Sequence, residues 1–166
     1  MTTAQEVAPY VVEVIEAGPA AVPVAFYGQA YRTTSGTMTF VASSTYYDVT
    51  LVPTLDAIAS GVDVVSGKFG LQNTSGATRT AMVQVEIDIS GSNNVDYGFR
   101  LSKNGTAIPA TEIKAHVNGT SEVHGMMTSW IVSLATSETI VLQVANLTNT
   151  SSLTMHRGRI IATYIA

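Results

Sequence analysis

The stretch Phe99-Arg100-Leu101-Ser102-Lys103-Asn104-Gly105-Thr106-Ala107-Ile108-Pro109 decides the fold. An alternating apolar run reaches the dipeptide Asn104-Gly105, and the alternation restarts directly after it. Asn-Gly tolerates the positive φ angles that a two-residue type I′ turn requires. The stretch therefore predicts a β-hairpin, and alternating runs at residues 81–89 and 140–144 place that hairpin in the middle of a β protein.

The clearest single strand prediction is the run from Thr80 to Ile89. Because successive side chains of a strand point to opposite faces, every second residue of the run shares a face. The apolar face holds Ala81, Val83, Val85, Ile87 and Ile89, and the other face holds Met82, Gln84, Glu86 and Asp88. One face is expected to lie in the core and the other in water.

Turn signals recur along the chain every eight to fifteen residues or so, as in a β-sandwich or barrel. They include the clusters at residues 73–76, 91–94, 118–120 and 149–152. No run of ten or more residues has a convincing helical period, although residues 54–61 could form one helical turn. The pattern predicts an all-β fold, an antiparallel β-sandwich.

Residues 1–36 differ from the rest and are predicted to form an extended N-terminal arm, with the sandwich spanning residues 37–166. The arm is apolar around Tyr10, Val12 and Val14, but Gly18-Pro19 and then Pro23 keep any regular element short. Such an arm is expected either to lie across a neighbouring subunit or to fold back as an edge strand of its own domain.

Composition favours a protein that lives in an assembly. Charged residues make up 12% of the chain, roughly half the usual share, and apolar residues make up 46%. A weakly charged surface repels neighbours poorly. The net charge of −4 and the scattered basic residues argue against nucleic-acid binding, which needs a clustered cationic face. The absence of cysteine excludes disulfides and cysteine-ligated zinc.

Two further expectations concern targeting. The first residues lack the basic start and the apolar core of a signal peptide, so synthesis in a cytoplasm is expected. No stretch approaches eighteen uninterrupted apolar residues, so no membrane span is expected.

The residues that could carry chemistry do not form a catalytic or metal-binding motif. The three histidines, His116, His124 and His156, lack the spacing that preorganises metal ligands. The run from His156 to Arg159 could form a small cationic site for a carboxylate or phosphate. Glu86 and Asp88 are read as a solvated strand face. We therefore expect no enzyme and no cofactor.

Aromatic residues admit two interpretations. Tyr46, Tyr47, Tyr97, Phe99 and Trp130 could form a sugar-binding platform, or they could serve as sandwich core and as anchors of a subunit interface. The second interpretation is preferred. The predicted interaction residues are Tyr10, Val12, Val14, Tyr46, Tyr47 and Trp130.

The order of elements resembles the trimeric jelly roll of tumour necrosis factor ligands and of the globular heads of complement- and collagen-like proteins. It also looks like related knobs and decoration proteins of tailed bacteriophages. The resemblance covers roughly residues 62–166 and is carried by residues 82–89, 99–105, 131–134, 140–144 and 160–164. One departure is the turn Thr136-Ser137-Glu138, where such heads often have Gly-Asp.

The resemblance implies a jelly-roll β-sandwich that assembles as a homotrimer and acts as a structural or binding module. The leading hypothesis is a decoration (cement) protein on the capsid surface of a tailed phage, attached to the major capsid protein shell. The alternative is a receptor- or glycan-binding tip of a tail fibre or a bacterial adhesin. It would contact a host-surface glycan through the loops around Asn93, Asn118 and Asn149. A cupin-like enzyme would need metal-binding histidines that the chain lacks.

Overall fold

The computed structural model describes residues 26–165, and these residues form twelve strands and no helix. The strands are, in chain order, β1 (Tyr27–Arg32), β2 (Gly36–Met38), β3 (Tyr47–Asp48), β4 (Thr54–Leu55), β5 (Val62–Val64), β6 (Gly70–Asn73), β7 (Arg79–Gly91), β8 (Val95–Lys103), β9 (Thr106–Val117), β10 (His124–Leu134), β11 (Thr139–Asn146) and β12 (Leu153–Tyr164). The all-β prediction is confirmed.

The strands form two antiparallel sheets that pack face to face as a jelly-roll sandwich. The first sheet has the order β10-β7-β12-β1-β4, and β2 pairs with the first residues of β12, Leu153 to Met155. The second sheet has the order β5-β6-β11-β8-β9, and β3 pairs with β11. Strands that are distant in sequence are neighbours in both sheets, as expected when the chain crosses repeatedly between two layers.

The core lies between the two sheets and confirms the alternation predicted for β7. Ala81, Val83 and Ile89 are fully buried, whereas Met82 on the opposite side is 40% exposed. From the second sheet, the inward side chains of β8 and β11 belong to the same core. The largest fully buried side chains are Tyr97, Phe69, Phe99, Leu71, Ile89, Leu101, Leu134, Ile140, Leu142, Leu153, Met155 and Ile160.

The predicted hairpin is formed by β8 and β9. Asn104 and Gly105 have φ angles of 49° and 80°, and Lys103 pairs with Thr106 across the turn. These are the positive φ values of a type I′ turn. Farther along, the pairing shifts between Phe99 and Leu101, so that residues 109–112 of β9 lie opposite the single residue Arg100. At this irregularity the Thr111 hydroxyl, in place of a backbone carbonyl, accepts a hydrogen bond from the Leu101 amide at 2.7 Å.

Residues 26–36, which the sequence analysis assigned to the arm, belong to the sandwich. Strand β1 lies between β12 and β4, and Tyr27 to Arg32 pair in continuous register with Thr163 to Gly158. The inward residues of β1 are small, because a Cβ atom on Gly28 would lie 2.0 Å from the Val62 side chain. The remainder of the predicted arm, residues 1–25, lies outside the described residues.

The helical turn that the sequence allowed at residues 54–61 is not formed. This segment forms the short strand β4 and then a tight turn, in which the Asp56 side chain accepts a hydrogen bond from the Ile58 amide at 3.2 Å. An Asp side chain that bonds to the backbone two residues later favours a turn over a helix.

The sandwich has two different ends. The hairpin end carries the Asn104-Gly105 turn and the turn at residues 135–138, and here the Tyr164 amide donates to the Phe26 carbonyl at 3.0 Å. The loop end carries the loops at residues 92–94, 118–123 and 147–152. Within residues 26–165 no helix exists that could cross a membrane.

Candidate interaction face

The outward face of the first sheet exposes an apolar row near the hairpin end. The row consists of Tyr27, Thr163, Met82 and Ile131, which are consecutive pairing partners on β1, β12, β7 and β10. Ile131 is 60% exposed and Met82 is 40% exposed. Met82 and Ile131 are adjacent in this row, and the Thr163 side chain lies between Met82 and Tyr27. Exposed apolar patches on a protein surface mark interaction sites.

Two ion pairs cross the same face nearer to the loop end. Arg159 on β12 pairs with Glu86 on β7 at 2.6 Å, and Arg157 pairs with Asp88. In each case the two residues are directly opposite each other in the ladder. Glu86 and Asp88 are therefore neutralised by arginine partners, which agrees with the prediction of a strand face and offers no acid–base pair.

Beside these ion pairs lies a cleft of about 380 Å³, which we call the arginine cleft. Its lining residues are Tyr31, Arg32, Thr33, Glu86, Ile87, Asp88, Arg157, Gly158 and Arg159. Arg32 donates only to the backbone carbonyl oxygens of Val52, at 3.2 Å, and Ser35, at 3.5 Å, and its buried Nε has no acceptor among the described residues. Arg32 pairs with Gly158, which pairs with Ile87, so its side chain leaves the sheet on the opposite face from Arg157 and Arg159. The guanidinium groups on the outward face of the cleft are those of Arg157 and Arg159, each with a carboxylate partner.

Strand β10 is the edge of the first sheet beside this face. Met127 is 63% exposed, and Trp130 is 38% exposed although its partner Val83 points into the core. Trp130 remains partly exposed because β10 has a neighbour on one side only. An edge strand with exposed apolar side chains is a ready surface for contact with another chain.

The three histidines have separate partners. His116 contacts Asp96 at 2.6 Å, His124 lies 3.4 Å from Glu122, and His156 lies 2.8 Å from the Ser90 hydroxyl. The hydrogen bond to Asp96 raises the pKa of His116. Across residues 26–165, no group of three or more potential ligands could hold a metal ion.

The predicted interaction residues do not come together in one place. Trp130 lies at the β10 edge, and Tyr46 lies on the outer side of the second sheet against Gly98 and Arg100. Tyr47 instead packs against the core, with its ring 6.2 Å from that of buried Phe40. Tyr10, Val12 and Val14 lie outside the described residues.

Tyr46 is held against the second sheet. The Arg100 guanidinium lies 3.7 Å from the centre of the Tyr46 ring, and a Cβ atom on Gly98 would meet the Tyr46 hydroxyl at 2.3 Å. Burial raises the pKa of Tyr46 to about 12, and the nearby charge of Glu112 adds to the shift. The Tyr46 ring thus packs over Gly98 on the surface of the sheet and makes a cation–π contact with Arg100.

A series of polar side-chain contacts extends from Arg100 across the second sheet. Arg100 donates to Gln143 at 3.0 Å, Gln143 donates to Asp48 at 2.9 Å, and Asp48 pairs with Lys68 at 2.6 Å. Burial alone would raise the pKa of Asp48, but hydrogen bonds from Lys68 and Gln143 outweigh burial and lower that pKa. These side-chain contacts link β8, β11 and β3 to the turn before β6.

The aromatic residues form no sugar platform. Tyr97 and Phe99 are buried in the core, and the Tyr97 ring lies 6.1 Å from that of Phe40. The residues that the sequence analysis missed are Met82 and Ile131, which form the exposed apolar patch. The exposure of Ile131 has no local signal, because it depends on which strands become neighbours.

Comparison with known proteins places the fold. No protein-family model and no curated protein matches the sequence. Among solved structures, Eiger TNF from S. frugiperda is similar with a TM-score of 0.61 and 11% identity, over 87% of this chain and 94% of that chain. PRD1 vertex protein P5 is similar with a TM-score of 0.55 and 14% identity, over 86% of this chain and 99% of that chain. The described residues therefore have the jelly-roll fold of a tumour-necrosis-factor-like globular head, as the sequence pattern predicted.

Proposed function

We propose that this protein is a structural component of a virion, a decoration or cement protein on the head of a tailed phage, that works as a homotrimer. The observation that carries the proposal is the exposed apolar row on the outward face of the first sheet. Exposed Ile131 and Met82 lie side by side on β10 and β7 in this row. Burial of apolar area contributes about 25 cal/mol per Å², so covering this face in an interface contributes to association.

The edge of β10 supplies a second, different surface for a threefold ring. When one patch of each copy meets a different patch of the next copy, the copies form a ring if the rotation between them closes. In the proposed trimer, Trp130 and Met127 at the β10 edge of one copy pack against the apolar row of its neighbour. Partly exposed Trp and Met side chains are typical anchors of subunit interfaces.

The virion setting is supported by a likeness of fold and by composition. PRD1 vertex protein P5 has the same fold and is, by its name, a vertex protein. The charged share of only 12% suits a protein surrounded by neighbours. We propose that the trimer sits on the capsid surface, contacts the shell of the major capsid protein, and catalyses no reaction.

The mass of the full chain in solution tests the trimer. Light scattering is expected to give three times the 17.5 kDa of one chain. Ile131→Glu places a charge in the apolar row and is expected to give monomers. Ile58→Glu, at a 67% exposed position in the turn after β4, is the matched control and is expected to remain trimeric. A monomeric unsubstituted chain would contradict the proposed assembly.

Particles test the virion role. Purified protein is added to phage heads that lack it, and the heads are imaged and heated with and without it. Ordered density on the capsid surface and a higher temperature of head disruption are the expected results. Heads that bind no protein at saturating concentration would contradict a cement role.

A second candidate is favoured by the topology of the loops. The loops that contain Asn93, Asn118 and Asn149 all lie at the loop end, as a receptor- or glycan-binding tip requires. A glycan array probed with the purified trimer separates the two candidates. Reproducible binding that is lost when Asn149 is replaced would favour the tip, and no binding would favour the decoration protein.

A further inference from the structure

The tripeptide Asn-Gly-Thr occurs twice in the chain, at residues 104–106 and at residues 118–120, and the chain has no other Asn-Gly pair. The first copy forms the type I′ turn at the hairpin end. The second copy begins the loop between β9 and β10 at the loop end. Because the three residues are identical, a difference in the reactivity of the two asparagines reflects mainly the fold around them.

An asparagine that precedes a glycine can lose its side-chain amide without an enzyme. The glycine backbone nitrogen forms a bond to the asparagine Cγ, the bond between Cγ and Nδ2 breaks, and ammonia leaves with the proton of the glycine N–H. Water then opens the five-membered imide at either carbonyl and leaves aspartate or isoaspartate. Glycine favours the attack because it has no Cβ atom to obstruct its nitrogen.

The two glycines are similarly uncrowded. A Cβ atom on Gly105 would meet nothing within 4 Å beyond its chain neighbours, and one on Gly119 would meet nothing closer than the Glu122 side chain, at 3.5 Å. Crowding at the glycine therefore does not distinguish the two sites. The difference lies in the asparagine side chains.

The Asn104 side chain is bonded to the residues that begin β11. Its Nδ2 donates to the Glu138 carboxylate at 2.9 Å, and its Oδ1 accepts from the Thr139 amide at 2.8 Å and from the Thr139 hydroxyl at 3.4 Å. The Asn104 amide also donates to the Thr139 carbonyl at 3.0 Å. The side chain must leave these partners before its Cγ can approach the Gly105 nitrogen, so reaction requires local opening of the hairpin end.

The Asn118 side chain is exposed in the loop that follows β9. Its side-chain partner is His116, whose pKa is raised by the hydrogen bond to Asp96 and, to a smaller extent, by a hydrogen bond to Asn118. This contact is local to the end of β9 and the loop. The Asn118 side chain can therefore turn toward the Gly119 nitrogen without the opening of a strand pair.

We propose that Asn118 is a site of spontaneous deamidation in the folded protein and that the fold protects Asn104 in the identical tripeptide. The product at residue 118 is a carboxylate at the loop end, close to Asp96 and Glu122, and it makes the net charge of −4 more negative by one. The inference does not depend on the proposed assembly, because both sites lie within one chain.

Incubation of the full chain in mildly alkaline buffer tests this inference. Peptide mapping by mass spectrometry measures the rate at which each asparagine is converted to aspartate and isoaspartate, and the same incubation in denaturant gives the rates without the fold. The unfolded rate should exceed the folded rate by at least about tenfold at Asn104, where several hydrogen bonds must break, and by less than about threefold at Asn118. Equal ratios at the two sites, or no conversion of Asn118 in the folded chain, would overturn the inference.

Glu138→Ala tests the cause of the protection, because it removes the acceptor of the Asn104 Nδ2. Conversion of Asn104 should become several-fold faster, whereas the rate at Asn118 should stay the same and serves as the control within the same chain. Circular dichroism checks that the variant is folded. A folded variant with an unchanged rate at Asn104 would reject Glu138 as a source of protection. The unsubstituted chain tests the proposal by itself, because its folded and unfolded rates are compared at both sites.

Discussion

At the scale of single residues, Glu138 ties two turns together at the hairpin end. Its carboxylate accepts hydrogen bonds from the Asn104 side chain at 2.9 Å and from the Ala135 amide at 2.7 Å, and it pairs with Lys103 at 2.7 Å. The Asn104 side-chain oxygen in turn accepts from the Thr139 amide at 2.8 Å. These hydrogen bonds and the ion pair therefore link the type I′ turn to the turn that precedes β11.

Stability should depend on the charge of Glu138. The Lys103 hydrogen bond, with help from the Ala135 amide, lowers the pKa of Glu138 in the folded state. A lowered folded-state pKa stabilises the protein above the unfolded-state pKa, and this contribution is lost as the pH falls through the folded-state value. Glu138→Gln should therefore lose stability at neutral pH and show a smaller further loss toward about pH 3 than the unsubstituted chain.

Denaturant unfolding at the two pH values measures this effect. Lys103→Met removes the main cause of the shift and should reduce the same pH dependence. An unchanged pH dependence in Glu138→Gln would show that the carboxylate does not contribute in this way.

The residue scale also shows what local sequence can predict. Asn104-Gly105 predicted its turn because the φ requirement lies within the two residues themselves. At Glu138 the sequence showed only a departure from the Gly-Asp that is common in the heads it resembles. The role of Glu138 depends on Asn104, which is 34 residues away, and a local pattern does not specify which distant turn will lie next to it.

At the scale of elements, β7 is the strand on which the first sheet depends. It is the longest of the strands within residues 26–165, with 13 residues, and it pairs with β10 on one side and β12 on the other. Its inward side chains alternate strictly, which is why the sequence predicted it so clearly. Truncation of a buried side chain on this strand should lower the stability of the fold, because the close-packed core relaxes only partly into the cavity that is left.

Ile89→Ala tests this role of β7. Ile89 is fully buried, so its truncation should lower the free energy of unfolding by about 2–5 kcal/mol. The same substitution at Ile58, which is 67% exposed, should change it by less than about 0.5 kcal/mol. Chemical denaturation of the two variants makes the comparison, and equal effects would show that burial is not what distinguishes them.

Strand β1 shows why other elements were harder to predict. Its inward positions include Gly28 and Ala30, which are small because neighbouring side chains press against them. Small inward residues produce no hydrophobic alternation, so the segment resembled an arm. The ion pairs between β7 and β12 were equally hidden, since Glu86 and Arg159 are 73 residues apart and meet only through the sheet register.

At the scale of the whole molecule, self-association should make stability depend on concentration. A protein that unfolds from an oligomer is stabilised by mass action, so its Tm rises with protein concentration. The full chain should show such a rise, and Ile131→Glu should not. Ile58→Glu should behave like the unsubstituted chain. Calorimetry over a hundredfold range of concentration measures the effect, and a constant Tm for the full chain would contradict association through this face.

The fold and the interaction face differ in how far sequence could predict them. Alternation and turn chemistry are local, so the two-layer β architecture followed from them. The apolar row and the arginine cleft draw residues from β1, β7, β10 and β12, which are scattered along the chain. The run from His156 to Arg159 predicted the cationic side chains of the cleft. Which other residues would lie beside them depends on the strand order, which local sequence does not specify.

The antiparallel pairing of β1 with β12 has a mechanical consequence. Tyr27, near the start of β1, lies opposite Thr163, near the end of β12, so both ends of the described chain leave the sandwich side by side. Hydrogen bonds of an antiparallel pair run perpendicular to the strands. A force that pulled residues 26 and 165 apart would therefore load these bonds one pair at a time, beginning at Tyr27 and Thr163. The subunit should unzip under a low force along this line, whereas tension applied through opposite ends of the sandwich would have to shear many bonds at once.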